Sequence, residues 1–271
     1  MRIARYTSGE GAAFGVVEGD DPGAADASSE QTLRRIDGHP FAPFQVVGEP
    51  TPIGEVRLLA PVLPSKVVAI GRNYASHAKE MGAAESDADE PPIVFLKPST
   101  SVIGPGDPIQ LPTGVSNEVH FEGELAVVIS RLCREVPVER AGDVVLGFTC
   151  GNDVTARDLQ RAEKQWGRAK GFDTFCPLGP WIETDVKPAL DDDLAVTTTV
   201  NGELRQAGRT SELLHGIPQL ISHITVAMTL LPGDVILTGT PAGVGPLRAG
   251  DTVAVTIENI GTLTNQVVAR G

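Results

Sequence analysis

The segment that decides the fold reads Val119-His120-Phe121-Glu122-Gly123-Glu124-Leu125-Ala126-Val127-Val128-Ile129-Ser130. It alternates between apolar and polar residues at first and then becomes continuously apolar, which is typical of a strand that passes into a core. Side chains two residues apart on a strand point to the same face of the sheet. The carboxylates of Glu122 and Glu124 are therefore expected to aim at one place beside the apolar run.

Two close carboxylates at the edge of a core repel each other and lose hydration, so they require a cation or one of them must be protonated. Mg²⁺ meets this need economically because it binds carboxylate oxygens in an octahedral shell. The alternative is an edge strand that leaves both glutamates in solvent, where most charged residues lie. The segment by itself leaves both interpretations open.

Composition places the chain among ordinary globular proteins. Its 271 residues (28.4 kDa) are 41% hydrophobic and 21% charged, which argues against wholesale disorder. The 30 glycines and 21 prolines, with only 4% aromatic residues, favour tight turns and short strands over long helical bundles. We therefore predict a strand-dominated α+β fold.

Charge and cysteine usage limit the partners. Twenty-two Lys and Arg against 35 Asp and Glu give a net charge of −13, so that a nucleic-acid backbone would be repelled. The three cysteines have no zinc-ligand spacing, the N-terminus has no apolar targeting segment, and no run approaches the ~20 apolar residues that cross a bilayer. We expect a cytoplasmic protein with reduced thiols that binds neither nucleic acid nor membrane.

Residues 1–60 are expected to form a small accessory module and residues 61–271 the main domain. The module begins with a predicted strand pair at 1–6 and 12–18, followed by a polar loop at 20–30 and a proline-rich surface linker at 40–64. Strands of the main domain are predicted at 66–70, 93–97, 119–130, 145–153, 194–200, 203–207, 235–238, 252–258 and 263–268, and helices at 75–81, 156–163 and 218–231. The Asn201-Gly202 pair between two of these strands is the strongest two-residue hairpin signal.

A third carboxylate, Asp153, lies at the end of the strand predicted at 145–153, just before a helix. Arg157 and Gln160 are three residues apart on that helix and share a face. This face is expected to look back toward Asp153, where an arginine and a glutamine could hold a substrate carboxylate. Helix capping by Asp153 or Thr155 and a solvent-facing helix surface are the alternatives.

His77 and Glu80 are also three residues apart, in a predicted helical turn. The carboxylate of Glu80 can orient the imidazole of His77 and raise its basicity, which is half of a general-base arrangement. The acidic segment at 83–90 could act as a flexible lid. A solvated His/Glu pair on a short helix is the alternative.

Lys97, Lys170 and Thr240 are further candidates. Either lysine could bind an anion or stabilise an oxyanion, and the alternative is an ordinary surface charge. Thr240 lies in the glycine-rich loop at 238–245, which lacks the lysine of a phosphate-binding P-loop and therefore does not favour a nucleotide. His120 lies two residues before Glu122 and would at best support a metal ligand from outside.

Six short segments occur in an order that resembles the fumarylacetoacetate hydrolase family. They are Gly71-Arg72-Asn73-Tyr74, Phe95-Leu96-Lys97-Pro98-Ser99, Glu122-Gly123-Glu124-Leu125, Asn152-Asp153-Val154-Thr155-Ala156-Arg157-Asp158-Leu159-Gln160, Lys170-Gly171-Phe172-Asp173 and Thr238-Gly239-Thr240-Pro241. Each is weak alone, but six in order over residues 66–268 are specific. The resemblance implies a mixed β-roll with a small N-terminal module, usually in a homodimer.

The resemblance also implies roles for individual residues. The ligands of Mg²⁺ or Mn²⁺ would be Glu122, Glu124 and Asp153. A catalytic dyad would consist of His77 and Glu80. The polar groups that hold the substrate and the developing oxyanion would be Lys170, Arg72, Lys97, Arg157, Gln160 and Thr240. Of these, Lys170 would be a catalytic residue and the others would bind substrate.

An enzyme acting on a 2-oxo acid or its enol follows from the resemblance. The reaction would pass through a metal-bound enolate and end in C–C bond hydrolysis of the acylpyruvate type or in oxaloacetate decarboxylation. The alternative is a 2-hydroxyhepta-2,4-diene-1,7-dioate (5-carboxymethyl-2-hydroxymuconate) isomerase in aromatic catabolism. Ile70 stands where larger animal members have a fourth acidic ligand, so the chain is similar to the shorter bacterial type. A non-catalytic binding protein with this fold is disfavoured, because the side chains that carry the chemistry are all present.

Overall fold

The computed structural model describes residues 1–9, 11–19, 31–82, 90–187 and 192–270. Strands dominate these residues, as we predict from the sequence. The strands are β1 Arg2–Thr7, β2 Ala12–Glu18, β3 Thr32–Asp37, β4 Gln45–Pro52, β5 Arg57–Leu59, β6 Val67–Gly71, β7 Ile93–Lys97, β8 Val102–Ile103, β9 Ile109–Leu111, β10 Val119–Phe121, β11 Gly123–Ile129, β12 Val145–Asn152, β13 Thr155–Ala156, β14 Cys176–Glu183, β15 Ala195–Val200, β16 Glu203–Arg209, β17 Val235–Leu237, β18 Gly245–Pro246, β19 Thr252–Ile257 and β20 Gly261–Ala269. The α-helices are α1 Ala75–Glu80, α2 Arg157–Ala162, α3 Gly167–Lys170 and α4 Ile217–Ala227, and short 3₁₀ turns cover Ile53–Glu55, Ser99–Ser101, Val138–Val144 and Thr210–Glu212.

The largest sheet carries the core of the molecule. Its strands follow the order β4-β3-β2-β1-β14-β12-β11-β17-β6-β7, with β5 beside β1 and β8 beside β14. The central strand β11 is buried along its whole length. Leu125, Val127 and Ile129 pack in a cluster with residues of α4, whereas Ala126 and Val128 pack in a cluster with residues of β1 and β3. A strand covered on both faces has no polar face, which explains the continuous apolar run.

The segment predicted as one strand at 119–130 is interrupted at Glu122. β10 pairs with β13 and β18 in a three-stranded sheet, whereas β11 pairs with β12 and β17 in the large sheet. Because the chain changes sheets at this point, the Glu122 N–H donates to the side chain of Asn152 (3.0 Å to Oδ1). The switch from alternating to continuously apolar residues therefore marks two strands in different surroundings.

The N-terminal strands extend the large sheet. β1 pairs antiparallel with β14, and β2, β3 and β4 follow it outward. The prediction of a surface linker at 40–64 is wrong, because β4 and β5 lie within it. Pro50 and Pro52 belong to β4, the last strand of the sheet, and an edge strand tolerates proline because its outward positions need no N–H donor. The division of the chain at residue 60 stays a prediction.

Strand β14 is absent from our predictions. It contains Pro177, Gly179 and Pro180, which are turn signals in sequence. In the structure β14 is buried along its length between β1 and β12. Its neighbours on both sides therefore override the local preference of its residues.

The hairpin at Asn201-Gly202 is confirmed, and both residues have positive φ (54° and 81°), as this turn requires. Helix α4 ends at Ala227, earlier than predicted, because Leu230 forms an isolated bridge with Cys133. The predicted polar loop at 20–30 lies outside the described residues, and so does the predicted lid apart from residue 90. Within the described ranges, no helix combines the length and the apolar character needed to cross a bilayer.

Candidate metal centre and active site

Three buried carboxylates converge where β11 begins and β12 ends. Glu124 lies opposite Gly151 in this antiparallel pair, and the Asp153 N–H donates to the Glu122 carbonyl at 2.8 Å. One oxygen from each of Glu122, Glu124 and Asp153 lies within 4.8 Å of the others, and none of the three residues is more than 4% exposed. The alternative of solvent-exposed glutamates on an edge strand is therefore wrong. We call these residues the carboxylate triad.

Three buried cations contact two members of the triad. Lys170 Nζ donates to Glu122 Oε2 at 2.7 Å and to Asp153 Oδ2 at 2.6 Å. Arg157 Nη2 donates to Glu122 Oε1 at 2.6 Å, and Lys97 Nζ donates to Asp153 Oδ1 at 2.5 Å. Burial alone would raise the pKa of Glu122, but Lys170 and Arg157 outweigh burial and hold that pKa below its usual range.

Glu124 is the member of the triad without a cation. Its Oε2 accepts the Gly239 N–H at 2.7 Å, and within the described part of the chain it forms no ion pair. Burial, followed by repulsion from Asp153 and Glu122, raises the pKa of Glu124 well above its ordinary value. Three buried carboxylate oxygens with one uncompensated charge are a donor set that fits a hard divalent cation such as Mg²⁺ or Mn²⁺.

His77 and Glu80 lie next to the triad on α1. His77 is 5% exposed, so the alternative of a solvated pair is wrong for the imidazole, whose Nδ1 is 3.3 Å from Glu80 Oε2. The Gly243 N–H donates to both carboxylate oxygens of Glu80 at 3.1 Å, which holds this carboxylate from a second side. A proton on Nδ1 facing Glu80 leaves Nε2 as the basic nitrogen of His77.

Asn73 fixes the start of α1. Its buried Nδ2 donates to the Thr238 carbonyl at 2.8 Å and to the His215 carbonyl at 3.0 Å, and its Oδ1 accepts the His215 N–H at 2.8 Å. Thr238 directly follows β17 and precedes Gly239, which contacts Glu124. The helix that carries His77 and the loop that contacts the triad are therefore tied together.

Arg157 and Gln160 share a face of α2, as their spacing predicts. Arg157 Nη1 donates to Gln160 Oε1 at 2.6 Å while its Nη2 contacts the triad, and the residue is 2% exposed. The alternative of a solvent-facing helix surface is wrong for Arg157. No side chain caps α2, and Thr155 Oγ1 donates to the Asp153 carbonyl instead, so the capping alternative is wrong as well.

These side chains surround a cavity of about 270 Å³. All the predicted site residues line it except Glu80, Lys97 and Asp153, which lie outside its lining. Arg161 also lines it and is paired with both carboxylate oxygens of Glu118. Arg72 lines it without an ion pair to any described residue. A small cavity with an acidic wall and cationic walls suits a small anionic molecule.

One alternative and one expectation about the surroundings of the triad need correction. Lys97 is fully buried and contacts Asp153 and the Val154 carbonyl (3.2 Å), so the alternative of an ordinary surface charge is wrong and its ammonium holds a carboxylate of the triad. His120 lies on β10 with its Nε2 3.3 Å from Glu118 Oε1. Because the strand is interrupted at Glu122, the two-residue spacing does not place His120 and Glu122 on one face of a sheet. His120 does not line the cavity.

The sequence does not predict two buried amides that support the triad. Asn152 Oδ1 accepts the Glu122 N–H at 3.0 Å, and Gln206 Oε1 accepts the Gly123 N–H at 2.9 Å. Asn152 lies next to Asp153, so its position at a strand end was an available signal. Nothing local marks Gln206, because its partner is 83 residues away along the chain.

Two family models together match nearly the whole chain. Residues 66–268 match the family described as fumarylacetoacetate (FAA) hydrolase C-terminal, and residues 1–61 match the one described as Rv2993c-like, N-terminal. The chain is similar to the oxaloacetate tautomerase YisK of Bacillus subtilis, with 45% identity over 224 residues that cover 79% of this chain and 74% of that protein.

Solved structures extend the likeness to both ends of the chain. A 5-carboxymethyl-2-hydroxymuconate delta-isomerase from Mycobacterium smegmatis is 52% identical with a TM-score of 0.88, and the match covers 100% of each chain. A maleylpyruvate hydrolase from Sphingobium sp. SYK-6, solved with manganese(II) and pyruvate, is 32% identical with a TM-score of 0.78, again over 100% of each chain. With this coverage and identity, the chain belongs to the fumarylacetoacetate hydrolase family.

Proposed function

We propose that this chain is a divalent-metal-dependent enzyme that moves a proton within a 2-oxo acid or its enol, in the manner of a tautomerase or isomerase. The observation that carries the proposal is the buried carboxylate triad, with Glu124 uncompensated, beside a histidine that a glutamate orients. The names of the Bacillus subtilis tautomerase and the Mycobacterium smegmatis isomerase support proton transfer as the outcome.

The carboxylate triad would hold the cation. A bound Mg²⁺ or Mn²⁺ would act as a Lewis acid toward the oxygens of a 2-oxo acid. Lys170 and Arg157 would remain beside the triad as fixed positive charges. They would stabilise the negative charge that develops on the 2-oxygen of the substrate.

Arg72 would bind a carboxylate of the substrate. It is the cation on the cavity wall that forms no ion pair with a described carboxylate. Arg157, Arg161 and Lys170 each pair with a carboxylate. Its backbone adopts φ 59°, which is uncommon for a residue with a side chain. Strained backbone conformations of this kind are concentrated at functional sites, where the surrounding structure holds them in place. The planar guanidinium of an arginine can donate two parallel hydrogen bonds to a carboxylate.

His77 would carry the proton. With Nδ1–H directed at Glu80, its neutral Nε2 can take a proton from the carbon next to the 2-oxo group and return it after the electrons have shifted. The C–H electron pair becomes the carbon–carbon double bond of the enol, and the carbonyl π pair moves to the 2-oxygen. Glu80 stabilises the imidazolium that exists between the two transfers.

C–C bond hydrolysis is the second candidate, favoured by the likeness to a maleylpyruvate hydrolase solved with manganese(II) and pyruvate. His77 would then deprotonate a water molecule instead of a substrate carbon. Decarboxylation of oxaloacetate needs no activated water. Replacing His77 with Ala is therefore expected to abolish hydrolysis but only to reduce decarboxylation, and equal loss of both would contradict this division.

The test is a turnover panel on purified protein with EDTA and then with Mg²⁺ or Mn²⁺ restored. The substrates are enol oxaloacetate, acetylpyruvate, fumarylpyruvate and 2-hydroxyhepta-2,4-diene-1,7-dioate, each with product analysis. We expect metal-dependent interconversion of isomers without new fragments, lost in Glu124→Gln and retained in Glu203→Gln, which replaces an exposed acid on β16. Release of pyruvate from acetylpyruvate or fumarylpyruvate would favour hydrolysis, and release of pyruvate with CO₂ from oxaloacetate would favour decarboxylation. Absence of both turnover and bound metal would favour a non-catalytic binding protein.

We also propose the homodimer that the resemblance implies. Sedimentation equilibrium tests it directly, because the chain mass is 28.4 kDa. A mass of twice that value supports the dimer, and a mass equal to one chain contradicts it.

A further inference from the structure

Gln206 is a fully buried polar side chain on a strand whose other residues are all at least partly exposed. β16 is the edge strand of a five-stranded sheet, so the core of that sheet does not require a buried glutamine there. Burying an amide costs free energy unless its donors and its acceptor are paired. The reason for its burial therefore lies outside its own strand.

The amide of Gln206 joins the carboxylate triad to the loop after β17. Its Oε1 accepts the Gly123 N–H at 2.9 Å, and its Nε2 donates to Thr240 Oγ1 and to the Pro241 carbonyl, both at 2.7 Å. Thr240 Oγ1 in turn donates to the Gly123 carbonyl at 2.8 Å. Three hydrogen bonds thus close a ring that begins and ends on Gly123.

This ring allows one arrangement of protons. The Gly123 N–H needs an acceptor, so the amide oxygen of Gln206 faces it and the amide nitrogen faces Thr240. Because the Thr240 hydroxyl accepts that N–H, its own proton goes to the Gly123 carbonyl. Thr240 can therefore offer a substrate only a remaining lone pair, which limits the substrate-binding role expected for it.

Gly123 separates the two glutamates of the triad, so whatever fixes Gly123 also fixes their spacing. A Cβ at Gly123 would lie 2.1 Å from Thr198 Oγ1, and Thr198 is the cross-strand partner of Gln206. We propose that Gln206, acting through Gly123, is a positioning residue that sets the separation of Glu122 and Glu124 for a divalent cation. The inference rests on the metal site of the proposed function.

The experiment measures Mn²⁺ affinity by titration calorimetry in the absence of substrate. Gln206→Met keeps the length of the side chain and removes every hydrogen bond of the ring that Gln206 makes. Residues that orient metal ligands typically change affinity about tenfold to a hundredfold when replaced, and we expect a loss in that range.

Asn265→Leu is the matched control. Asn265 is 2% exposed, and its Nδ2 donates to the carbonyls of Gly104 and Asp107 at 2.9 Å, in the turn between β8 and β9. We expect both variants to lower the melting temperature, but only Gln206→Met to weaken Mn²⁺ binding. Unchanged affinity in Gln206→Met, or equal weakening in the two variants, would overturn the inference.

A second pair of variants tests the same ring if Gln206→Met does not fold. Thr240→Val removes the hydroxyl at the other corner of the ring, and Thr240→Ser retains it. We expect Thr240→Val to bind Mn²⁺ more weakly than Thr240→Ser, and equal affinities would overturn the inference. If the wild-type protein binds no Mn²⁺, the proposed metal site itself is wrong. This outcome is distinguishable from one in which the wild type binds Mn²⁺ and only the role of Gln206 is wrong.

Discussion

Buried carboxylates lie at both ends of β17, a single one before the strand and the carboxylate triad after it, and they differ in how their charges are compensated. Before the strand, Asp234 is fully buried and accepts hydrogen bonds from the N–H groups of Ser65, Lys66 and Leu231 (2.8–3.2 Å). The Ser65 hydroxyl and the Lys66 ammonium add two more, at 2.7 and 2.5 Å. Five hydrogen bonds therefore converge on this carboxylate, three on Oδ1 and two on Oδ2.

After the strand, Gly239 donates its N–H to Glu124, which lacks a cation of its own. Burial would raise the pKa of Asp234, but Lys66 and Ser65 outweigh it and lower that pKa, whereas burial and two neighbouring carboxylates raise the pKa of Glu124. The contrast shows that burial alone does not define a functional carboxylate. Asp234 is satisfied by the protein, whereas Glu124 is the carboxylate whose charge we propose a divalent cation compensates.

The largest expected effect comes from Glu124→Gln. Glutamine has the shape of a neutral glutamic acid and can still accept the Gly239 N–H, so we expect the metal-free protein to be at least as stable toward urea as the wild type. Divalent-cation affinity is expected to fall more than about a hundredfold, since an amide oxygen carries no charge. Calorimetry with Mn²⁺ and urea unfolding measure the two quantities.

Exposed Glu203→Gln on β16 serves as the control and should change neither quantity. Unchanged Mn²⁺ affinity in Glu124→Gln would remove Glu124 from the ligand set. Strong destabilisation of the metal-free variant would mean that the negative charge of Glu124 is compensated by the protein, as that of Asp234 is.

Gly123→Ala should have the next largest effect on metal binding. Its Cβ would meet Thr198 Oγ1 at 2.1 Å and push apart the backbone between the two glutamates. The Thr198 hydroxyl is buried without a hydrogen-bond partner in the described residues, so Thr198→Ala alone should cost little. We expect Gly123→Ala to weaken Mn²⁺ binding about tenfold or more and the double variant Gly123→Ala/Thr198→Ala to recover part of it. A double variant no better than Gly123→Ala would contradict the steric explanation.

Asp234→Asn tests the other end of the strand. It places an amide N–H₂ against groups that are all donors, so we expect a loss of about 2 kcal/mol in the free energy of unfolding. Mn²⁺ affinity should not change. Asp143→Asn is the matched control, because Asp143 and its partner Arg140 are both exposed and such pairs contribute at most about 1 kcal/mol. A change in Mn²⁺ affinity in Asp234→Asn would contradict the separation of Asp234 from the carboxylate triad.

The same comparison shows what the sequence could predict. Helical periodicity is a local property, and it correctly predicts that Arg157 and Gln160 share a face. Strand periodicity predicts that Glu122 and Glu124 converge, and they do, but Glu122 lies between β10 and β11 and not within one strand. That the strand breaks at Glu122 was not predictable, since the break reflects a change of partner strands and leaves His120 in a different sheet. Pairing between distant segments decides such points.

The charge balance of the site was likewise beyond the sequence. Lys97, Lys170 and Arg157 are marked as candidates by type alone, and only their contacts show that two of the three carboxylates are compensated. Asp234 carries no motif and was not singled out, although it is as buried as any member of the triad. Local patterns identify chemical groups, but the number of donors around each group emerges only from the packed fold.

The smallest expected effect is a pH dependence at Asp234. Its pKa in the folded protein lies below the ordinary value of 3.8, so its charge contributes stability that is fully present above 3.8 and is lost as the pH falls through the folded pKa. The difference in unfolding free energy between wild type and Asp234→Asn should therefore be the same at pH 7 and pH 5 and should shrink below 3.8. Urea unfolding of both proteins at pH 7, 5 and 3 measures it. A difference that already shrinks between pH 7 and pH 5 would mean that the donors around Asp234 do not outweigh its burial, and the contrast with Glu124 would then be one of degree.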